Sequence, residues 1–535
     1  MFVLALSSLL AAALPAHAGQ EWFVAVGGTG DGSAAAPFGT IQAALKVALA
    51  GDTITVQPGT YAQRVTSVRG GVDGAPITLR SAKGRGTVTV VSTGRVLEVA
   101  HPHIVVDGLV IDGQFGAADT VRLTSAAHHF VLRRSEVRRS GRDCIDMGAP
   151  TDVLLEHSSI NQCLWWDGAR RDAHAIVAGA VQGLTLRHLD IHTFSGDGLQ
   201  LDPGRSLPGW DRVSIEHTSF TLAPLPSPQN GFPAGVVPGE NAVDTKTHAS
   251  APRARLTITD TTAKGFGPGL ITNMAAFNLK EHVEVNVDRV TVSLSEIAFR
   301  VRGPGPTGGA WVTVRNAVLH DVVNGFRYED DIEHLDVAHT TFGRNVSKSF
   351  KPASSGWGGV NVRNSLVLGS ALPQELPIAA GNLAVSSTAF LGASTGDYRL
   401  AADALALDAA LGNFDTPTDR MGTSRPQGIA ADVGAFERPV VQEAARPAAP
   451  TNLAIPPPPP SVSLAWQDNS DVEKSYVVQR STNGGRFRKV AELPANTTSF
   501  VDTTVAPATS YRYRVQARNV AGNSSFSNIV SVKTQ

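Results

Sequence analysis

Asp143-Cys-Ile-Asp-Met-Gly148, His174-Ala-Ile-Val-Ala-Gly179, Asp197-Gly-Leu-Gln-Leu-Asp202, Asn241-Ala-Val-Asp-Thr-Lys246, Pro268-Gly-Leu-Ile-Thr-Asn273, Ile297-Ala-Phe-Arg-Val-Arg302 and Asn324-Gly-Phe-Arg-Tyr-Glu329 align as one repeated unit. The second position is always small, as a tight bend requires, and the third is always apolar: Ile145, Ile176, Leu199, Val243, Leu270, Phe299 and Phe326. Side chains alternate along a strand, so if the third position points inward, the fourth and sixth face solvent. A β-rich run precedes each unit, for example Leu184-Thr-Leu-Arg-His188, Val213-Ser-Ile-Glu-His217 and Leu256-Thr-Ile-Thr-Asp260. From about residue 75 to 370 the pattern is therefore run, polar turn, second run, variable loop. It predicts an all-β, right-handed parallel β-helix, a solenoid whose coils stack at strand spacing. No segment of helical length and period separates the runs, which excludes a doubly wound α/β fold.

Working outward, residues 21–61 hold a strand-like start, a Gly-rich loop and a short segment with Ile41, Ala44, Leu45 and Ala48 at helical spacing. That segment is expected to cap the first coil, because an open end would expose core and unpaired strand edges. After the repeats, Asp397-Tyr-Arg-Leu400, Asp419-Arg-Met-Gly422, Arg425-Pro426 and Asp432-Val-Gly-Ala-Phe-Glu437 read as a closing segment. The boundaries expected are residues 1–18 as a signal peptide, 19–440 as the β-helix, 441–450 as a Pro/Ala linker and 451–535 as a small immunoglobulin-like β-sandwich. Trp466, Tyr476-Val-Val-Gln-Arg480 and Tyr511-Arg-Tyr-Arg-Val515 lie on strands of that sandwich, and they resemble a fibronectin type III domain with Tyr511 in the place of its corner tyrosine.

The apolar stretch Phe2 to Leu14 ends in Ala16-His17-Ala18, the small-x-small form of a signal-peptidase site, so a secreted protein, extracellular or periplasmic, is expected. No later stretch is long and apolar enough to span a bilayer. Cys144 and Cys163 are the only cysteines and read either as one disulfide between neighbouring coils or as two buried thiols. Glycine (52) and proline (32) are plentiful and only 17% of residues are charged, in keeping with an all-β chain. The formal net charge of -1 supplies no overall field for nucleic acid, so any acidic ligand must be held locally, and a monomer is expected.

Three files of polar residues run across the coils. The fourth positions give Asp146, Val177, Gln200, Asp244, Ile271, Arg300 and Arg327; the sixth give Gly148, Gly179, Asp202, Lys246, Asn273, Arg302 and Glu329; the strand entrances give Asp143, His174, Asp197 and Asn241. Acids collect on the earlier coils and cations on the later ones, with Lys246 at the junction. Such a groove suits β-elimination from a uronic acid, where the sugar carboxylate must be neutralised before a base removes the C5 proton. Asp202 and Asp244, with Asp197 or Glu240, are hard oxygen ligands of the kind calcium takes. Lys246 is the expected base, Arg300 and Arg302 grip substrate carboxylates, and His174 and His248 are reserve candidates for the general acid. Gln200, Asn273 and Arg327 line the groove, and Trp165 and Trp166 lie on a loop beside it, where they stack on sugar rings or cover core. The same charges also read as ordinary surface ion pairs, such as Asp244 with Lys246.

Phe38-Gly-Thr-Ile-Gln-Ala-Ala-Leu45, Gly51-Asp-Thr-Ile54, Pro58-Gly-Thr-Tyr61 and Ala75-Pro-Ile-Thr-Leu-Arg80 resemble the entry segment of β-helical polysaccharide lyases, especially pectate lyases of family nine and alginate and chondroitin lyases of family six. The resemblance covers roughly residues 20 to 440. It implies calcium-assisted elimination with a lysine base, and Glu240-Asn-Ala-Val-Asp-Thr-Lys-Thr247 is similar to the coil that bears this lysine. Where family six places an arginine one coil later, this sequence has Asn273, and an arginine returns in that file at Arg302. Three other functions use the same scaffold: a uronate C5-epimerase, an inverting glycoside hydrolase with Asp202 and Asp244 spanning a water, weakly signalled by Ser195-Gly-Asp-Gly198, and a non-catalytic glycan-binding surface protein.

Overall fold

In the computed structural model, the structure describes residues 19–303, 309–328, 332–353, 359–369, 372–374, 376, 378–412, 416–439, 446–456 and 461–535. The expected signal peptide and the first half of the linker lie outside these residues. The chain divides into two compact units, one ending at Arg438 and one running from Pro439 to Gln535.

The first unit is a parallel β-helix. Its β-rich first runs form a 14-stranded sheet in sequence order, and the second runs belong to a 22-stranded sheet. The register explains why the coils stack. Ile54, Leu79, Val106, Leu132, Leu155, Leu186, Ile215, Ile258, Val287, Val314, Val337 and Val362 are partners in succession, a continuous inward file of aliphatic side chains. Each partner contributes roughly 1.5–3 kcal/mol when fully buried, and every coil repeats the contribution. On the second sheet the inward file reads Val121, Ile145, Ile176, Leu199, Val243, Phe277, Phe299, Phe326 and Phe350. Its four phenylalanines stack at centroid spacings of 5.1, 5.0 and 5.0 Å.

This file corrects one coil. The unit expected at Pro268–Asn273 is a bend, and Leu270 is 40% exposed rather than inward. The coil is Ala275-Ala-Phe-Asn-Leu-Lys280, with Ala276 small and Phe277 buried. Asn278 therefore takes the place expected for Ile271, and Lys280 that expected for Asn273.

The short turn between the two runs of a coil places one residue in the left-handed region: Arg134, His157, His188, His217, Asp260, Arg289, Asn316, His339 and Asn364 have φ between 47° and 54°. The left-handed conformation reverses the chain within a residue, and the side chain there points away from the stack. At the N-terminal end, helix Ile41–Val47 turns Ile41, Ala44 and Leu45 into the core, with the Thr40 hydroxyl accepting from the Ala43 N–H at 3.1 Å as its cap. Cys144 and Cys163 are joined, linking neighbouring coils across 19 residues of sequence. Closing a loop of that size restricts the unfolded chain by about 3 kcal/mol.

The second unit packs Thr451–Ala454, Val462–Gln467 and Ser499–Asp502 as one antiparallel sheet and five further strands as another. Trp466, Tyr476, Tyr511 and Tyr513 fill its core, and the Tyr511 hydroxyl accepts from the Ala506 N–H at 2.8 Å, which fixes the corner. Among the described residues no helix is long and apolar enough to cross a membrane.

Candidate functional site

The outward face of the second sheet, at strands Ile176–Ala178, Leu199–Leu201, Val243–Thr245 and Ala275–Leu279, gathers most of the expected residues. At its centre Asp244, 3% exposed, is flanked by two ammonium groups: Lys280 Nζ at 2.7 Å from Oδ1 and Lys246 Nζ at 3.6 Å from Oδ2. The Asn278 amide also donates to Asp244 Oδ1 at 2.8 Å. Lys280 thus makes the close ion pair while Lys246, whose side chain is 21% exposed, is held more loosely at the surface. The backbone around both lysines is tied down. The Trp210 indole donates to the Lys246 carbonyl at 2.8 Å, and the Thr245 hydroxyl bridges to the backbone of Lys280 at 2.8 and 3.0 Å.

Upstream lies a cluster of acidic residues. The buried Asp197 accepts from the Asn241 amide at 2.8 Å and from Gln200 at 2.9 Å. Its backbone N–H donates to His174 Nδ1 at 2.7 Å, while the His174 N–H donates to Asp143 at 2.8 Å. Because Nδ1 accepts, the proton of the neutral ring sits on Nε2, and burial lowers the affinity of His174 for a second proton. Glu240 is tied to Arg170 at 2.7 Å, and Arg170 also reaches Asp172 at 3.1 Å.

Burial, then the charge of Asp244, pushes Asp197 up to about 7. Burial, then the charges of Asp197 and Asp172, pushes Glu240 up to about 7. Raised carboxyl groups favour the folded state while protonated. Their contribution is full below the ordinary carboxylate range and is lost as pH rises through about 7. The thermal midpoint of the β-helix should therefore fall by a few degrees between pH 5 and pH 8 in differential scanning calorimetry, and Asp197→Asn should flatten that slope. An unchanged slope in the variant refutes the assignment.

The remaining expected residues are placed as follows. Asp202 is fully buried and both its oxygens accept from the Ser206 N–H, at 2.9 and 2.8 Å, so its carboxylate caps the loop after Leu201. Arg300 and Arg302 continue the files of Asn278 and Lys280 on the Thr291–Val301 strand and just after it, and Arg327 follows Arg300. Asn273 lies in the bend outside the coil and accepts from Arg327 at 2.8 Å. Trp165 and Trp166 form a two-residue strand paired with Arg170–Arg171. Trp165 packs on the main core and Trp166 sits edge-on to Phe232 at 5.0 Å, so both rings cover apolar surface. His248 accepts from the Ser250 N–H in the loop after Lys246, and Glu329 lies outside the described residues. Lys280, Asn278 and the contact of Arg170 with Glu240 were not anticipated. The small-then-apolar pair Ala276-Phe277 marks the coil of the first two, whereas nothing in the sequence signals that Arg170 reaches Glu240.

The donor set does not fit calcium. Asp244 is held by two ammonium groups, Asp202 caps a backbone N–H, Asp197 accepts from two side-chain amides and Glu240 pairs with arginine. Among the described residues no group of three His, Cys, Asp or Glu side chains is arranged to hold a metal ion. Calcium asks for six or more oxygens free to converge.

The β-helical region is similar in structure to a rhamnogalacturonan lyase, with a TM-score of 0.47 and 12% identity over 70% of this chain and 91% of that one. It is also similar to an alginate lyase from Paenibacillus sp. str. FPU-7, with a TM-score of 0.40 and 17% identity over 64% of this chain and 99% of that one. A curated amylopullulanase of Thermoanaerobacterium saccharolyticum is 36% identical over 74 residues, 14% of this chain, and the match spans only 6% of that protein's length. Residues 448–533 match the fibronectin type III domain model, and with the two antiparallel sheets and the Tyr511 corner the C-terminal unit is a fibronectin type III domain.

Proposed function

We propose that the chain is an exported polysaccharide lyase that cleaves a uronate-containing glycan by β-elimination at the Asp244 coil. The observation that carries the reading is the Lys246–Asp244–Lys280 arrangement: Lys280 neutralises Asp244 at 2.7 Å, which leaves Lys246 loosely held on the sheet surface. Arg300 and Arg302 lie one coil beyond Asn278 and Lys280, and so two beyond Asp244, along the same files, where a substrate carboxylate and its developing negative charge meet a cationic face. Lys246 takes the C5 proton, the electron pair forms the C4–C5 double bond, and the C4–oxygen bond breaks. The departing oxygen takes a proton from the Glu240 and Asp197 pair, which retains one near neutrality because both groups are raised.

The raised pair also supports a second reading, an inverting hydrolase in which it supplies the acid. One experiment separates them. The protein is incubated with pectate, alginate, glucuronan and glycosaminoglycans, with and without exhaustive chelation, and products are followed in the ultraviolet and as reducing ends. Unsaturated products that persist after chelation are expected. Saturated reducing ends point to hydrolysis, inverted C5 stereochemistry without cleavage to an epimerase, and binding without product to a glycan-binding protein. Loss of turnover on chelation brings calcium back into the mechanism.

A further inference from the structure

Away from this site, the left-handed turns of three successive coils carry His157, His188 and His217. Their rings stack face to face, with centroids 4.5 and 4.7 Å apart and planes within 12° and 9° of parallel. All three are exposed, and together with Arg85, Arg134 and Asp190 they line a surface recess of about 760 Å³. Neither the fold nor the proposed chemistry uses this stack. Coils need no particular side chain at the turn, since arginine, aspartate and asparagine serve elsewhere.

We propose that this recess is a second glycan site, which takes up a segment of acidic polysaccharide when its imidazoles carry protons. The ligand class follows from spacing and chemistry. One imidazole per coil gives one switchable cation per strand spacing, and an extended uronan offers about one carboxylate per sugar along a similar repeat. The surroundings set the charge balance. Arg85 has no ion-pair partner among the described residues, Arg134 is paired with Asp107, and Arg187 is paired with Glu216 at 2.9 Å. Asp190 accepts from the Ser219 hydroxyl, Asp260 lies 3.9 Å from His217 Nε2, and Glu156 faces His188. With the imidazoles neutral, the recess has little net charge to hold a polyanion; with them protonated, it gains up to three positive charges in a row. Partial desolvation of its ring lowers the proton affinity of His188, and repulsion from His157 and His217 adds to it. Face-to-face rings do not converge their nitrogens on one point, which argues against a metal.

The proposal shares its ligand class with the lyase reading, and the test keeps them apart. The full-length chain carrying Lys246→Ala, so that nothing is cleaved, is titrated with polygalacturonate, dextran sulfate and neutral dextran at about pH 5 and about pH 7.5, at equal ionic strength with chelator present. Polygalacturonate affinity should be about tenfold greater at the lower pH, as expected for a few partly screened charges. Adding His157→Asn, His188→Asn and His217→Asn should remove most of that increment and leave the affinity at the higher pH unchanged; asparagine tolerates the left-handed turn, so the coils stay folded. An increment of undiminished size in the triple variant overturns the proposal, and so does binding of dextran sulfate alone. Acid-dependent changes at the Asp197 pair remain in both proteins and cancel. If the wild-type chain cleaves no uronan yet shows the histidine-dependent increment, the lyase reading fails and the second site stands.

Discussion

Lys246→Ala should reduce turnover by about a hundredfold or more while KM changes little, because a base acts in the transition state and contributes little to ground-state binding. The variant should fold normally. Lys246 lies on the outward file, its side chain is partly exposed, and its closest charged partner, Asp244, keeps Lys280 at 2.7 Å and the Asn278 amide at 2.8 Å. Truncation therefore leaves no uncompensated buried charge, the usual cause of a large stability loss. Lys246→Arg keeps the charge but cannot release its proton readily, so it should fail nearly as badly. Lys280→Ala should act differently. With its close partner gone, Asp244 draws Lys246 into the ion pair, and turnover should fall by a smaller factor than in Lys246→Ala. The two effects should not add, because both pass through the same ammonium group. Steady-state kinetics on the substrate found in the panel checks all three. Near wild-type turnover in Lys246→Ala excludes it as the base and moves the role to Lys280 or His174.

Why Lys280 was not anticipated shows where the sequence stops speaking. The solenoid was legible because its signal is redundant: small then apolar, repeated at each coil, with β-branched runs between. One coil was misplaced, since Pro268-Gly-Leu-Ile-Thr-Asn273 satisfies the same two-position rule as Ala275-Ala-Phe-Asn-Leu-Lys280. What decides between them is packing, the stack of Phe277 on Phe299 at 5.1 Å, and a pattern of residue classes does not encode which ring meets which. The carboxylates show the same limit. Asp202 and Asp244 read alike as outward acids, yet one caps Ser206 and the other sits between two lysines. Ser206 comes from a loop and Lys280 from a neighbouring coil, so coordination chemistry inferred from the file alone had no access to them, whereas the pair of Asp244 with Lys246, within one unit, was legible. The left-handed turns were missed because their residues share a backbone conformation and not a side-chain class.

Arg425→Leu should destabilise the β-helical unit by about 3–5 kcal/mol, the cost of leaving a buried charge without its partner. Arg425 and Glu437 pair at 3.4 Å with side chains only 2% and 1% exposed. The guanidinium also donates to the carbonyls of Asp432 at 2.8 Å and Gly434 at 2.9 Å and to Asn316 at 3.2 Å. His339 Nδ1 lies 3.0 Å from the guanidinium and 3.1 Å from the Asp432 carbonyl, and burial, then the charge of Arg425, holds its proton affinity down at about 3, so the ring stays neutral. The arginine thus ties Asn316 and His339, at turns of two successive coils, to the closing segment. That segment is braced from within by Asp419, which accepts from the N–H groups of Thr423 at 2.7 Å and Glu437 at 2.9 Å. Losing Arg425 strands Glu437 and several carbonyls beneath the cap, so the cap should loosen before the coils do. Limited proteolysis should cut the variant between about residues 400 and 438, with a lower thermal midpoint and far-ultraviolet dichroism little changed. Arg425→Leu combined with Glu437→Leu should recover part of the loss, since replacing both charges by apolar groups removes the stranded one. A single variant with wild-type midpoint and protease resistance would mean that the segment is held by its apolar contacts, Phe390 and Tyr398 among them, and that the buried pair is not its lock.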